Sequence, residues 1–186
     1  MTAVARWVSI LAHPFVMIAL LIAVPAMRQS SRTAESALVV AVAVIVPIAV
    51  LMFGQVRRGR WSNVDASKQS ERPVLFVVAL TGLVAALGWL LLNDPQSFLV
   101  RGMFVVAAFL LVAAILTRWV KLSLHVAFVA LTSTALCLIG SWAGYVLIGL
   151  IPVMCWSRVA LGRHRPHELV VGLALGVVTG FALARL

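Results

Sequence analysis

Runs of apolar residues, broken by short polar segments, divide the chain into seven stretches: about 8–27, 37–53, 74–92, 98–117, 124–139, 143–156 and 169–185. Membrane β-strands would alternate apolar and polar positions; these runs are continuous. A helix needs about 20 apolar residues to cross the hydrocarbon core. The sixth stretch is short for a full crossing. The pattern therefore predicts an all-α, polytopic membrane helix bundle with six or seven transmembrane helices. The first stretch is too long for the apolar part of a signal peptide, contains His13-Pro14 and lacks a small-x-small cleavage site. It is read as a helix. No repeat and no low-complexity linker appears, so residues 1–186 read as a single transmembrane domain.

Composition agrees with that pattern. Of 186 residues, 63% are hydrophobic and 11% charged, against roughly half and a quarter in a soluble domain. A soluble globular protein and a disordered chain are both excluded. Fifteen Lys and Arg stand against five Asp and Glu, a net charge of +10. In a soluble protein this would suggest nucleic acid. In a membrane chain it reads as charge bias at the bilayer surface or as an anionic substrate, and no nucleic-acid partner is expected. Cys137 and Cys155 lie in apolar runs and read as packing residues.

Asn93 to Ser97 and Gly140 to Gly144 are tight turns, and 28–36 is a modest polar loop. Segments 54–73, 118–123 and 157–168 are polar and basic. If all seven stretches cross, these three segments fall on one side of the membrane and can converge.

The third basic segment ends in Arg163-His164-Arg165-Pro166-His167-Glu168. Pro166 suits the first position of a helix. Glu168 is then the third residue, where a carboxylate reaches back over the helix start. A carboxylate on one nitrogen of His164 would fix its tautomer and leave the other as a nucleophile or base. In the second segment Ser123 is a plausible N-cap. The helix start and Lys121 make an anion site, and His125 in the first turn points towards it. In the first segment Arg72, at the entry to a helix, is a candidate bidentate phosphate ligand. Each has a plainer reading: a helix cap, an interfacial histidine, a solvated arginine. Arg57, Arg58 and Arg60 read as lipid-headgroup charges.

Together these residues resemble the type 2 phosphatidic acid phosphatase superfamily of membrane lipid phosphatases. That family carries the motifs K-x6-R-P, P-S-G-H and S-R-x5-H-x3-D. Here the third is matched at Ser157, Arg158 and His164, with Glu168 in place of Asp. The second is matched at Ser123 and His125, with Leu122 and Leu124 in place of Pro and Gly. The first is matched at Arg72 and Pro73, with Asp65 where the family has Lys. The motif-bearing core covers approximately 60–186.

The resemblance implies a lipid phosphate phosphatase that needs no cofactor and no metal. It acts on a phospholipid, polyprenyl phosphate or diphosphate drawn from the bilayer. His164 would form a phosphohistidine and Glu168 would orient it. His125 would protonate the leaving alkoxide and then activate water. Arg72, Lys121, Ser123, Ser157 and Arg158 would bind the phosphoryl oxygens, Lys121 replacing the charge lost at Asp65. Arg163, Arg165 and His167 read as membrane-surface charges. A Mg-dependent intramembrane prenyltransferase is a second reading of the first segment, whose acids are Asp65 and Glu71. A non-catalytic lipid-binding membrane protein is a third.

The expected location is a prokaryotic inner membrane. Arg6, Arg57, Arg58, Arg60, Lys68 and Arg118, besides the proposed ligands, share one side. Arg28, Arg32, Arg101 and Arg185 share the other. This bias points the site to the cytoplasm, with Ser67, Ser123 and Arg165 all labelled from one side.

Overall fold

The computed structural model describes residues 2–29, 31–63, 65–66 and 68–185. Among these are eight α-helices and no strand: α1 (Thr2–Leu11), α2 (Pro14–Ala26), α3 (Ser31–Arg57), α4 (Arg72–Asn93), α5 (Phe98–Leu116), α6 (Leu124–Leu138), α7 (Trp142–Ala160) and α8 (Pro166–Ala184). A single 3₁₀ turn, Gln69–Glu71, precedes α4. The chain is an all-α membrane protein. Six helical segments are long and apolar enough to cross a bilayer, α1 and α2 counting as one, and α6 is a shorter apolar helix. Ser67 lies outside the described residues.

The short helix is α6, not the sixth stretch. Ser157 and Arg158 read as loop by polarity, but α7 continues through them to Ala160, and 19 residues suffice for a crossing. Similarly, α3 begins at Ser31, so much of the polar 28–36 segment is helical. Polar side chains at helix ends lower local hydropathy without ending the helix.

Contacts divide the chain into two compact units, residues 1–25 with 119–186, and residues 26–118. In the second, α4 packs on α3 and α5. Ser36 Oγ donates to Asp94 Oδ2 at 2.9 Å, and Arg32 donates to the Asn93 carbonyl, tying the start of α3 to the α4–α5 turn. Ser97 caps α5 by accepting from the Leu99 N–H.

In the first unit α6 is the inner helix. His125 to Ser133 are all buried, and α7 and α8 pack against it. A helix that is apolar all round is a buried helix; this explains why α6 can be short. The contact with α8 rests on Gly172, Gly176 and Gly180, a G-x3-G-x3-G stripe. A Cβ on Gly172 would lie 2.6 Å from the Ser123 carbonyl oxygen, and one on Gly180 would lie 2.6 Å from Thr134 Cβ. One on Gly176 would collide with the Ala127 carbonyl. The backbones thus meet directly, the usual solution where lipid leaves no hydrophobic drive between helices. The two helices run parallel: Ser123 N–H donates to the Glu168 carbonyl at 3.1 Å. The second and third basic segments therefore lie at one end of this unit. Exposed Trp7 and Trp119 belong to that end, and exposed Trp142 and Tyr145 to the other, as interfacial aromatics do.

Gly176→Val should destabilise the protein by about 1–3 kcal/mol or more through overpacking, read as a fall in the thermal midpoint in detergent. Gly88→Ala, where a Cβ meets nothing within 4 Å, should instead stabilise by about 0.5–1 kcal/mol.

Candidate active site

All four histidines of the chain lie in the first unit, with six Lys or Arg and one acid, Glu168. Local geometry builds the centre. After α7 the chain turns through a Schellman motif. Gly162 takes φ +65°, its N–H bonds to the Val159 carbonyl at 2.9 Å, and the Arg163 N–H bonds to the Arg158 carbonyl at 3.0 Å. Three residues after Arg163, Pro166 opens α8. His164 is held in the turn between these two helix ends.

Glu168 is the third residue of α8, as the spacing predicts, and accepts the Arg165 N–H at 3.2 Å. The same carboxylate oxygen lies 2.8 Å from His164 Nδ1. The Lys121 carbonyl oxygen lies 3.1 Å from that nitrogen. Both neighbours of Nδ1 are acceptors: a backbone carbonyl and a carboxylate. Nδ1 therefore carries the proton, and in the neutral ring the lone pair is on Nε2. The Lys121 charge also acts on Glu168.

Ser123 stands at the N-cap of α6, but its hydroxyl does not cap the helix. Its side chain is fully buried and its Oγ has no hydrogen-bond partner. A buried polar group in that state calls for an explanation. His125, in the first turn, is only 5% exposed. Its ring meets His13 edge to face, centroids 5.1 Å apart and planes at 89°.

Ser157 and Arg158 face α1. Ser157 Oγ donates to the Ala5 carbonyl at 2.7 Å, and Arg158 Nη1 donates to Ser9 Oγ at 2.6 Å. Arg158 is 1% exposed, and its charge acts on His13. On the loop, burial and the nearby charge of Arg6 hold the Arg163 guanidinium below its ordinary range. Lys121 thus acts on the one acid that His164 already engages, and Arg6 and Arg163 lie near each other at the same end of the unit.

Arg72 belongs to the second unit. It is the first residue of α4, buried, and followed by Pro73. Glu71 organises the segment before it, its carboxylate accepting the Ser62 and Lys68 N–H groups at 3.1 Å.

The structure thus brings His164, Glu168, Lys121 and Ser123 together and anchors Ser157 and Arg158 to α1. His13 was missed as a site residue because hydropathy absorbed it into the first stretch. Its signal is a histidine-proline pair inside an apolar run, since ionisable groups in such runs mark function. Set against known proteins, the chain matches no protein-family model, no curated protein and no solved structure.

Gly162→Ala forces a left-handed conformation on a residue with a Cβ, at a cost of about 1–2 kcal/mol. Its thermal midpoint should fall. Gly54→Ala, a helical position with nothing within 4 Å of the new Cβ, should not lower it.

Proposed function

We propose that the chain is a metal-independent lipid phosphate phosphatase working through a phosphohistidine, in the manner of the type 2 phosphatidic acid phosphatases it resembles. The observation that carries this reading is the double acceptor environment of His164 Nδ1, 2.8 Å from Glu168 and 3.1 Å from the Lys121 carbonyl. It presents Nε2 as the lone-pair nitrogen at a membrane-end cluster of cations. A structural capping role for Glu168 alone would not need a histidine there.

In the proposed reaction, Nε2 of His164 attacks phosphorus and the bond to the lipid oxygen breaks. The leaving alkoxide takes a proton from His125. Water then loses a proton to His125 and attacks the phosphohistidine, releasing phosphate and restoring His164. Glu168 stabilises the imidazolium character that develops on the ring. Lys121, Arg158 and the N-terminus of α6 neutralise charge on the phosphoryl oxygens, and the Ser123 hydroxyl gains the partner it lacks. Ser157, whose hydroxyl proton is given to the Ala5 carbonyl, holds α1 beside the site rather than donating to phosphate. Arg72 enters this reading through the motif resemblance alone. The substrate is a phospholipid or polyprenyl phosphate or diphosphate whose chain stays among the lipids.

We place the protein in a prokaryotic inner membrane with the site on the cytoplasmic face. In the first unit Arg6, Lys121, Arg158, Arg163 and Arg165 belong to the site end and Arg185 to the other, the asymmetry expected of a cytoplasmic end. A cysteine at Arg165→Cys, in a background lacking Cys137 and Cys155, should react with an impermeant maleimide only from inside.

Purified protein in detergent with EDTA should release phosphate from a lipid phosphate. A requirement for Mg²⁺ without phosphate release from monophosphates would indicate a prenyltransferase, and silence across a lipid panel a binding protein. His164→Ala should abolish release without lowering folded yield. Lys121→Ala should lose roughly ten- to a hundredfold, one charge-assisted contact of about 1.5–3 kcal/mol. Lys68→Ala should lose little. Equal small losses in both would remove Lys121 from the site.

A further inference from the structure

His13 ends one helix and begins another inside the first apolar span. The residue after it is Pro14, the first of α2. Its own Nδ1 accepts the Phe15 N–H at 3.2 Å, and its carbonyl accepts from Val16 and Met17 at 2.9 and 3.1 Å. His13 is therefore the N-cap of α2, using a ring nitrogen where Asn or Asp would use an oxygen. Because Nδ1 accepts, the proton of the neutral ring is on Nε2. The tautomer is opposite to that of His164, and it makes Nε2 a donor in the neutral ring.

The ring so fixed lies against His125, centroids 5.1 Å apart and planes at 89°. α2 and α6 are also tied deeper, where Thr132 Oγ1 donates to the Met17 carbonyl at 3.3 Å. At the end nearer the surface α1 is tied to α7 through Ala5 and Ser9. The height of His13 beside His125 is thus set from both directions. A cap alone needs no imidazole, and Asn would serve it better.

We propose that His13 is a positioning residue for His125: its ring, locked by the Phe15 N–H, packs edge to face on the His125 ring and fixes its orientation. Where His125 acts as the acid and base of phosphate release, this rests on the function proposed above. The pairing of the two rings does not.

His13→Asn separates the roles, because the amide oxygen keeps the cap while the ring is lost. Histidine-¹⁵N spectra of the full chain in detergent should show His13 unprotonated at Nδ1. They should also show the His125 ring signals shifted in His13→Asn, with the thermal midpoint unchanged. With a lipid phosphate, kcat should fall roughly ten- to a hundredfold, the scale of losing an orienting partner, and KM should stay near its original value. If His13→Asn leaves the His125 signals unmoved, or moves them without loss of kcat in an active enzyme, the proposal is overturned. If the unaltered protein hydrolyses no lipid phosphate, the phosphatase reading falls and the His125 spectra still decide the pairing. His13→Ala, which loses cap and ring together, should add a drop in stability that His13→Asn does not show.

Discussion

The direct backbone contact between α6 and α8 is the constraint on which the first unit depends. Lipid tails solvate Leu and Val as well as another helix does, so apolar surface alone does not hold two such helices together. Gly172, Gly176 and Gly180 remove the side chains between them, and van der Waals contact follows along three turns. Every position in this seam is set by the glycine nearest it. Gly172 brings the Ser123 backbone against the first turn of α8, where the Ser123 N–H reaches the Glu168 carbonyl. That single bond puts two segments more than forty residues apart at one height.

From that height the polar chemistry follows. Glu168 has two duties with one carboxylate, receiving the Arg165 N–H and the His164 ring. Lys121 lies two residues before Ser123, so its carbonyl meets the other side of the same ring nitrogen. The tautomer of His164 is a consequence of packing rather than of any one neighbour. Arg158, buried in α7, would be costly without a partner, and Ser9 of α1 supplies one. The first apolar segment thereby joins the site end of this unit and carries His13 to His125.

Features set by adjacent residues were legible in the sequence. Pro166 and Glu168 announce the start of α8 and the reach of the carboxylate towards His164. Pro73 likewise marks the start of α4 one residue after Arg72. The all-α class and the apolar spans follow from apolar runs of adequate length, but the break of the first run into α1 and α2 at His13-Pro14 does not. Features set across the chain were not legible. Nothing near Ser157 and Arg158 indicates that they would bind Ala5 and Ser9, some 150 residues away. Hydropathy counts Gly172, Gly176 and Gly180 as weakly apolar and hides their common face. The spacing of four is the signal that reveals it. The division into two units left no linker to read, because α2 passes to α3 and α5 to α6 through polar segments no longer than those between other helices. The roles of His125 and of Arg72 as phosphate-handling groups rest on motif resemblance beside this geometry.

The central claim is that His164 Nε2 is a nucleophile made ready by Glu168 and the Lys121 carbonyl. It is tested most directly by trapping the enzyme during turnover of a ³²P-labelled lipid phosphate and mapping the label. The account predicts a phosphoenzyme that is stable to alkali, labile to acid and located on His164, with none on His13, His125 or His167 and none formed by Glu168→Ala at a comparable rate. Label on another residue, or rapid phosphate release with no His164 phosphoenzyme when the protein is quenched at early times, would contradict it.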